Sequence, residues 1–437
     1  MNKIATGVQM LSWAKDLFPL NRSITGEGTR ETLRYLSDLL PELQIKEIET
    51  DTQVFDWRVP QEWAVREAYV EDPQGNRVID FSVNNLHVVG YSIPINRTMP
   101  LEELQNHLHS IPDQPNAIPY VTSYYEKNWG FCLTDELRSK FIPGEYKVYI
   151  DSDLFDGSMS YGELILPGED KGEVFLSTYI CHPSMANNEL SGPVLATALG
   201  RWLKENPRRF TYRIVFVPET IGALAYLSRN LESLRENCIA GFVLSCVGDD
   251  RTYSYLPSRL GNTYSDKIAL AVLDHEVSHY EKYSYLDRGS DERQYCSPGI
   301  DLPVCSVLRS KYGAYPEYHT SLDNFDVVTA EGLGGALNIY KKMIGLIESN
   351  HLYRATCLGE PQLGRRSLWP TTSNMNNPPG DTRKLINVLA YADGNLDLID
   401  IAKYCDISTV ECERIVNVLL AADLLENVDI RSPRSIN

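Results

Sequence analysis

The sequence predicts an α/β fold: a mixed, mainly parallel sheet flanked by helices, with a β-rich insertion and a C-terminal winged-helix module. Three features carry this. Between residues 172 and 349, apolar strand-like runs alternate with helical patterns. From 51 to 168 the chain is a series of short β-type runs broken by Pro, Gly and Asn. After residue 380 come three short helical patterns joined by tight turns.

Residues 1–50 read as helices over 6–17 and 27–40, separated by the turn from Asn21-Arg22-Ser23 to Gly28 and followed by a strand, QIKEIET. WRVPQEW, NRVIDF, LHVVGYSIPI, FCLT, YKVYIDS and GELILPG supply the short strands of the insertion. From 172, EVFLSTYI, YRIVFVP, IAGFVLSCV and LPVCSVL are predominantly apolar, as strands covered on both faces are. Helical patterns lie between them, so the runs belong to one sheet with helices on each side. The expected organisation is an α/β domain from 1–50 and 169–355, an inserted β-rich subdomain over 51–168, and a winged helix over 380–437. LWPTTSNMNNPPGD is the linker before the last module, and VDI is a possible wing.

With 43% hydrophobic and 23% charged residues, the 437-residue chain has the composition of a soluble globular protein. A net charge of -18 speaks against nucleic acid as a partner, since phosphate binding requires clustered Lys and Arg. The N-terminus carries Lys3, Lys15 and Asp16 in an amphipathic pattern and has no signal-peptide architecture. No apolar run is long enough to span a membrane. Nine scattered cysteines without a CxxC pair fit reduced thiols, and so a cytoplasmic location.

Four loop segments bear chemistry-capable residues. CHPSMANNELSG lies between an apolar strand and a helix, where open α/β sheets bind ligands. His182 there suits zinc at neutral pH, and Glu189 is a natural companion ligand. In VPETIGALAYL, Glu219 closes the next apolar strand, where burial can raise its pKa and make it a general base. RGSDERQYCSPGIDLPV and PEYHTSLDN add Asp291 and His319. Each segment alone also reads as ordinary structure: a loop histidine, a helix-terminus carboxylate, a turn with a helix cap. Their sharpness comes from convergence on one sheet edge.

As an ordered set, these segments resemble the zinc aminopeptidase clan that includes glutaminyl cyclases. With NRSITGEGTRETL and FDWRVPQEW, nearly the whole chain is similar to bacterial aminopeptidase-like proteins associated with polysaccharide biosynthesis, which have a β-rich insertion and a C-terminal winged helix. The resemblance implies a zinc-exopeptidase-like fold, His182 and His319 as metal ligands, Glu219 as general base and Asp291 as a polar site residue. The chain also departs from the clan. Asn188 stands where co-catalytic members have a bridging Asp, with Glu189 after it. Thr220 replaces the second Glu of a Glu-Glu pair, and no Asp occurs near Ser245-Cys246. One zinc, on His182, His319 and Glu189, is therefore expected in place of two.

His275-Glu276-Val277-Ser278-His279 is a literal HExxH on a predicted helix, the signature of a zincin protease, with poorly apolar flanks and no evident third ligand. Residues 381–437 hold ten acidic against six basic residues, and the segment at the recognition-helix position opens Ser408-Thr409-Val410-Glu411-Cys412-Glu413. That surface suits a protein contact or a homo-oligomer better than DNA. The leading expectation is a zinc-dependent hydrolase acting on a peptide or small amide. A non-catalytic binding protein on the same fold and an HExxH zincin are the alternatives.

Overall fold

The computed structural model describes residues 6–368 and 380–428. The chain divides into two compact units, residues 1–266 with 279–340, and residues 267–278 with 341–437. In the first unit, β1 (Gln44–Glu49), β2 (Ser158–Leu166), β3 (Glu173–Tyr179), β4 (Thr211–Val217), β5 (Cys238–Val243), β6 (Ser254–Leu256), β7 (Glu281–Lys282) and β8 (Val304–Leu308) form one sheet. Their order is β1-β2-β4-β3-β5-β8-β6-β7. β3 pairs in parallel with β4 and β5, and β5 with β8. β2 runs antiparallel to β1 and β4, and β6 to β8, so the sheet is mixed.

Every residue of β3 is buried, as are six of the seven in β4. Their Val, Ile and Phe side chains meet helices on both faces. Helices α1 (Gly7–Leu17), α2 (Glu27–Leu39), α3 (Ser191–Lys204) and α4 (Ile221–Asn237) belong to these covering layers. α1 starts in a capping box between Thr6 and Gln9 and buries Met10, Trp13 and Leu17. The chain leaves β3 through α3 to reach β4 on one side, then passes through α4 to β5 on the other. Strand order thus reverses about β3, and the loops after β3 and β4 diverge across a crevice at their carboxyl ends.

The inserted region forms a separate antiparallel sheet of Arg77–Asp80, Glu62–Glu71, Glu145–Phe155 and Ile95–Pro100, in that order. Residues 158–166, expected within the insertion, instead extend the main sheet as β2. Its Gly-interrupted sequence resembles the insertion strands, but Gly162 has a packing reason. A Cβ there would come within 2.9 Å of Leu33 Cδ2 on α2.

In the second unit, Leu352–Ala355 lies between Asp393–Asp397 and Leu425–Val428 in a three-stranded antiparallel sheet. Helices Gly380–Tyr391, Leu398–Tyr404 and Thr409–Ala421 accompany it, with Asp397 and Ser408 capping the second and third. Val388, Leu398, Ile401, Ile415 and Leu419 form its core. The small module therefore includes 352–355, a strand too short to separate by pattern from the preceding α/β domain. Most of the Pro/Asn/Gly-rich linker, and VDI beyond Val428, lie outside the described residues.

The HExxH reading fails on geometry. The helix Tyr264–Glu276 ends before Val277-Ser278-His279, so His275 and His279 do not share a helical face. Their side chains are 42% and 78% exposed, and His279 bonds to Glu281 at 3.1 Å. Among the described residues, no helix is long and apolar enough to cross a membrane.

Close packing at the start of α3 yields a test of the crevice. A Cβ on Gly192 would stand 2.2 Å from the Leu244 carbonyl oxygen and 2.3 Å from Thr178 Oγ1. Overpacking of this kind costs about 1–3 kcal/mol. Gly192→Ala is expected to lower the urea midpoint accordingly, with an unchanged slope.

Candidate active site

His182 lies three residues beyond β3, 4% exposed, in the loop that opens the crevice. The next turn, Ala186–Leu190, is a π-helical segment that runs into α3 at Ser191. Such wide turns recur at functional sites, and this one directs Glu189 inward. His182 Nδ1 is 2.8 Å from Glu189 Oε2, while Nε2 lies 3.6 Å from Glu219 Oε2. Glu219, two residues beyond β4, keeps 21% of its side chain exposed. The His319 ring centroid is 5.3 Å from that of His182, and Tyr120 and Tyr179 each lie 5.3 Å from His182 as well. The fifth residue, Asp291, is fully buried and accepts the Thr220 N–H at 2.7 Å.

The expected site residues thus come together, but Glu189 stands apart from the others in one respect. It lies on the Nδ1 side of His182, whereas Glu219 faces Nε2. Its second oxygen is 3.8 Å from Arg22 Nε, and Arg22 is itself buried, donating to the carbonyls of His182 at 3.0 Å and Leu17 at 2.6 Å. Cys181, His182 and Glu189 form the one metal-capable cluster of closely spaced ligand atoms among the described residues. A cation at that cluster would sit beside the Arg22 guanidinium, a repulsion that burial intensifies.

Unsatisfied atoms lie on both sides: Arg22 Nη2 and Glu189 Oε1, and also His319 Nε2 and Asp291 Oδ2, are buried and make no hydrogen bond. Burial, with His182 nearby, pushes His319 down to about 3, so its imidazole is neutral. Burial opposes protonation of His182, but Cys181 and Glu189 beside it raise its pKa well above the histidine range. Glu219 is raised by burial against the pull of His182 and Arg293, and Asp291 is raised well above its usual value by burial and by Glu219. Two carboxyl groups and two imidazoles are thereby held close in a low-dielectric crevice.

Strained backbone concentrates here. Ser184, Thr220, Cys246 and His319 have φ of 46°, 63°, 49° and 57°, conformations uncommon without glycine. Asn188 Oδ1 accepts from the Tyr179 hydroxyl at 3.1 Å, and Ser245 and Cys246 are buried.

Several contributors escaped sequence reasoning. Tyr120 comes from the insertion and contacts both His182 and His319. Its N–H donates to the His319 carbonyl, and Ser321 N–H donates to the Ile118 carbonyl, each at 2.9 Å. A small cleft beside the site is lined by Arg22, Trp63, Tyr120, Tyr124 and Pro183. Nothing in the local pattern of 114–124 marks it as part of a site, because its role depends on pairing about 200 residues away in sequence, as in the Pro119–Thr320 bridge. Arg22 stood within a quoted motif but gave no signal of burial.

Asp323 anchors the floor. It accepts the backbone N–H groups of Asn187 at 2.6 Å and Asn188 at 2.9 Å, and the Tyr315 hydroxyl at 2.9 Å. Burial pushes its pKa up to about 6, against about 3.9 for an unfolded Asp. Between those values the folded chain holds a proton that the unfolded chain lacks. Stability from this group therefore falls as pH rises from about 4 to about 6. Asp323→Asn is expected to remove that slope in denaturant titrations run across the window.

Residues 11–350 match the family described as "Domain of unknown function (DUF4910)", and residues 351–427 match a winged helix-turn-helix family. A protein of Clostridium acetobutylicum named "Putative polysaccharide biosynthesis protein with aminopeptidase-like domain" is 42% identical over 432 residues, covering 98% of this chain and 97% of its own. A crystal structure from C. acetobutylicum, described as a "putative peptidase", superposes with a TM-score of 0.90 at 41% identity, covering 97% of this chain and 96% of that one. A zinc aminopeptidase of Bacillus subtilis shares the fold at 11% identity, with a TM-score of 0.58 over 79% of this chain and 96% of its own. The fold is aminopeptidase-like, and the chain belongs to the DUF4910 family with a C-terminal winged helix.

Proposed function

We propose that this chain is a zinc-dependent hydrolase of aminopeptidase type, cleaving a peptide bond or a related small amide. The observation that carries the reading is the pair of imidazoles beside Glu219, with His319 Nε2 buried and lacking any protein partner. The donor set fits zinc: His182 Nε2 and His319 Nε2 offer nitrogen, and a carboxylate lies next to them. Glu189 is reassigned from ligand to support. By accepting Nδ1–H it fixes the His182 tautomer that leaves Nε2 free, and Arg22 balances its charge. Zinc held by these groups would supply Lewis acidity, lowering the pKa of a water and polarising the scissile carbonyl. Glu219, raised by burial, takes up the proton of the attacking water on its carboxylate and returns it to the leaving amine. Asp291 Oδ2, without a protein partner, accepts from the substrate's amino group.

A second reading is a non-catalytic binding protein. Asn188 and Thr220 favour it, because each stands where the clan has a carboxylate and takes up a structural place, as does the lack of an Asp near Ser245-Cys246. The winged helix fits a protein partner or a second copy in preference to nucleic acid. At the start of its third helix, Glu411 pairs with Lys384 and Arg414, offsetting basic charge that phosphate would need among the described residues there. Nine unpaired cysteines accord with a reducing cytoplasm.

Elemental analysis tests the metal. About one zinc per chain is expected in the native protein and in His275→Ala, with loss in His182→Ala. Absence of zinc from the native protein after loading would favour the binding reading. A panel of aminoacyl amides tests the chemistry: Glu219→Gln is expected to retain zinc while turnover falls by about 10²–10⁴-fold. Equal activity in that variant removes Glu219 as the base.

A further inference from the structure

We infer that Thr220 is a positioning residue, held by Asp291 and Arg293 in a strained turn that aims Glu219 at His182. The inference rests on the assignment of Glu219 above and extends it to the residues that fix it. Thr220 has φ 63° and ψ -77°, and the Ile221 N–H donates to the Glu219 carbonyl at 2.8 Å. That combination is a γ-turn of the positive-φ kind, which is rare and strained. A β-branched residue is poorly suited to it, since left-handed φ crowds its side chain.

The turn persists because both faces of Thr220 are held. Its N–H donates to Asp291 Oδ1 at 2.7 Å, and its Oγ1 accepts from Arg293 Nη2 at 2.7 Å. Arg293 is anchored in turn, through Nε, on the Ser290 carbonyl at 3.2 Å. On the other flank the Glu219 N–H points to Cys181 Sγ at 3.2 Å. The backbone of Glu219 is thus pinned from the loop after β3 and from the segment around Asp291. A simple helix cap needs none of this, because an extended residue before Ile221 would let a side chain cap α4 without strain. The turn bends the chain sharply at the one residue between Glu219 and the helix, and leaves Glu219 Oε2 3.6 Å from His182 Nε2. Asp291 therefore acts on the backbone through Oδ1, while its buried Oδ2 makes no hydrogen bond.

Crystal structures of the full-length wild type and of Thr220→Gly test this, with zinc content, kinetics on the aminoacyl amide panel and unfolding midpoints measured on the same proteins. Glycine takes up the turn without strain but is free to leave it, and it has no hydroxyl for Arg293. Expected in Thr220→Gly is a Glu219 carboxylate withdrawn from His182 or split between conformers, with unchanged zinc and no fall in the unfolding midpoint. kcat should drop by about tenfold to a hundredfold with little change in KM. Thr220→Ser, which keeps the hydroxyl, should restore the Glu219 position. Glu219 unmoved in Thr220→Gly, or wild-type kcat there, overturns the inference. If the wild type cleaves no amide but Glu219 still moves in Thr220→Gly, the positioning role stands and the hydrolase reading falls.

Discussion

Glu189 is a buried carboxylate shared between a histidine and an arginine, and the crevice is organised around it. Two ionised groups in a protein interior carry a heavy desolvation cost, offset only by close pairing and by hydrogen bonds to what remains. Arg22 meets that condition in part, donating to carbonyls on either side, one at the end of the first helix and one at His182 itself, while its Nη2 and Glu189 Oε1 make no hydrogen bond. The N-terminal turn, the loop after β3 and the π-turn into α3 are thereby tied to a common point. Removing either partner leaves the other's charge uncompensated in the interior, and removing Glu189 also takes from His182 the group that sets its tautomer.

Around that point the sheet topology does the rest. With β3 flanked by β4 on one side and β5 on the other, two loops part at the centre of the sheet, and His182 and Glu219 face each other across the gap. The strained residues lie in these loops and in their neighbours after β5 and before the long helix from Ala330. Rigid flanking strands and helices supply the packing that keeps such conformations populated.

Much of this was legible in the sequence where the signal is local. Predominantly apolar runs identified β3, β4, β5 and β8, and the helical patterns with the turn between them located the first two helices to within a residue. His182 and Glu219 were found because polar residues at strand ends stand out against apolar runs, and His319 because its polar loop, PEYHTSLDN, precedes the long final helix of the α/β pattern. What depends on distant pairing was not legible. β2 looked like another strand of the insertion until Gly162 met Leu33, and Leu352–Ala355 carries too few residues to declare its partner strands. The HExxH motif was legible and misleading, since five residues cannot reveal that the helix stops at Glu276. Glu189 was recognised as a metal-site residue, but which face of the imidazole it would meet depends on a π-turn that no periodicity encodes.

The bridge between Pro119 and Thr320 has a consequence for how the inserted sheet is regarded. Because the insertion's backbone carries the His319 loop and its Tyr120 stands against both histidines, it is a wall of the chamber and not an accessory laid over it. Trimming the chain to a minimal α/β scaffold would discard part of the chamber itself. Grafting the insertion onto a related scaffold would fail unless the loop it grips travelled with it. The two segments form a single inheritable piece, split in the chain and joined in space.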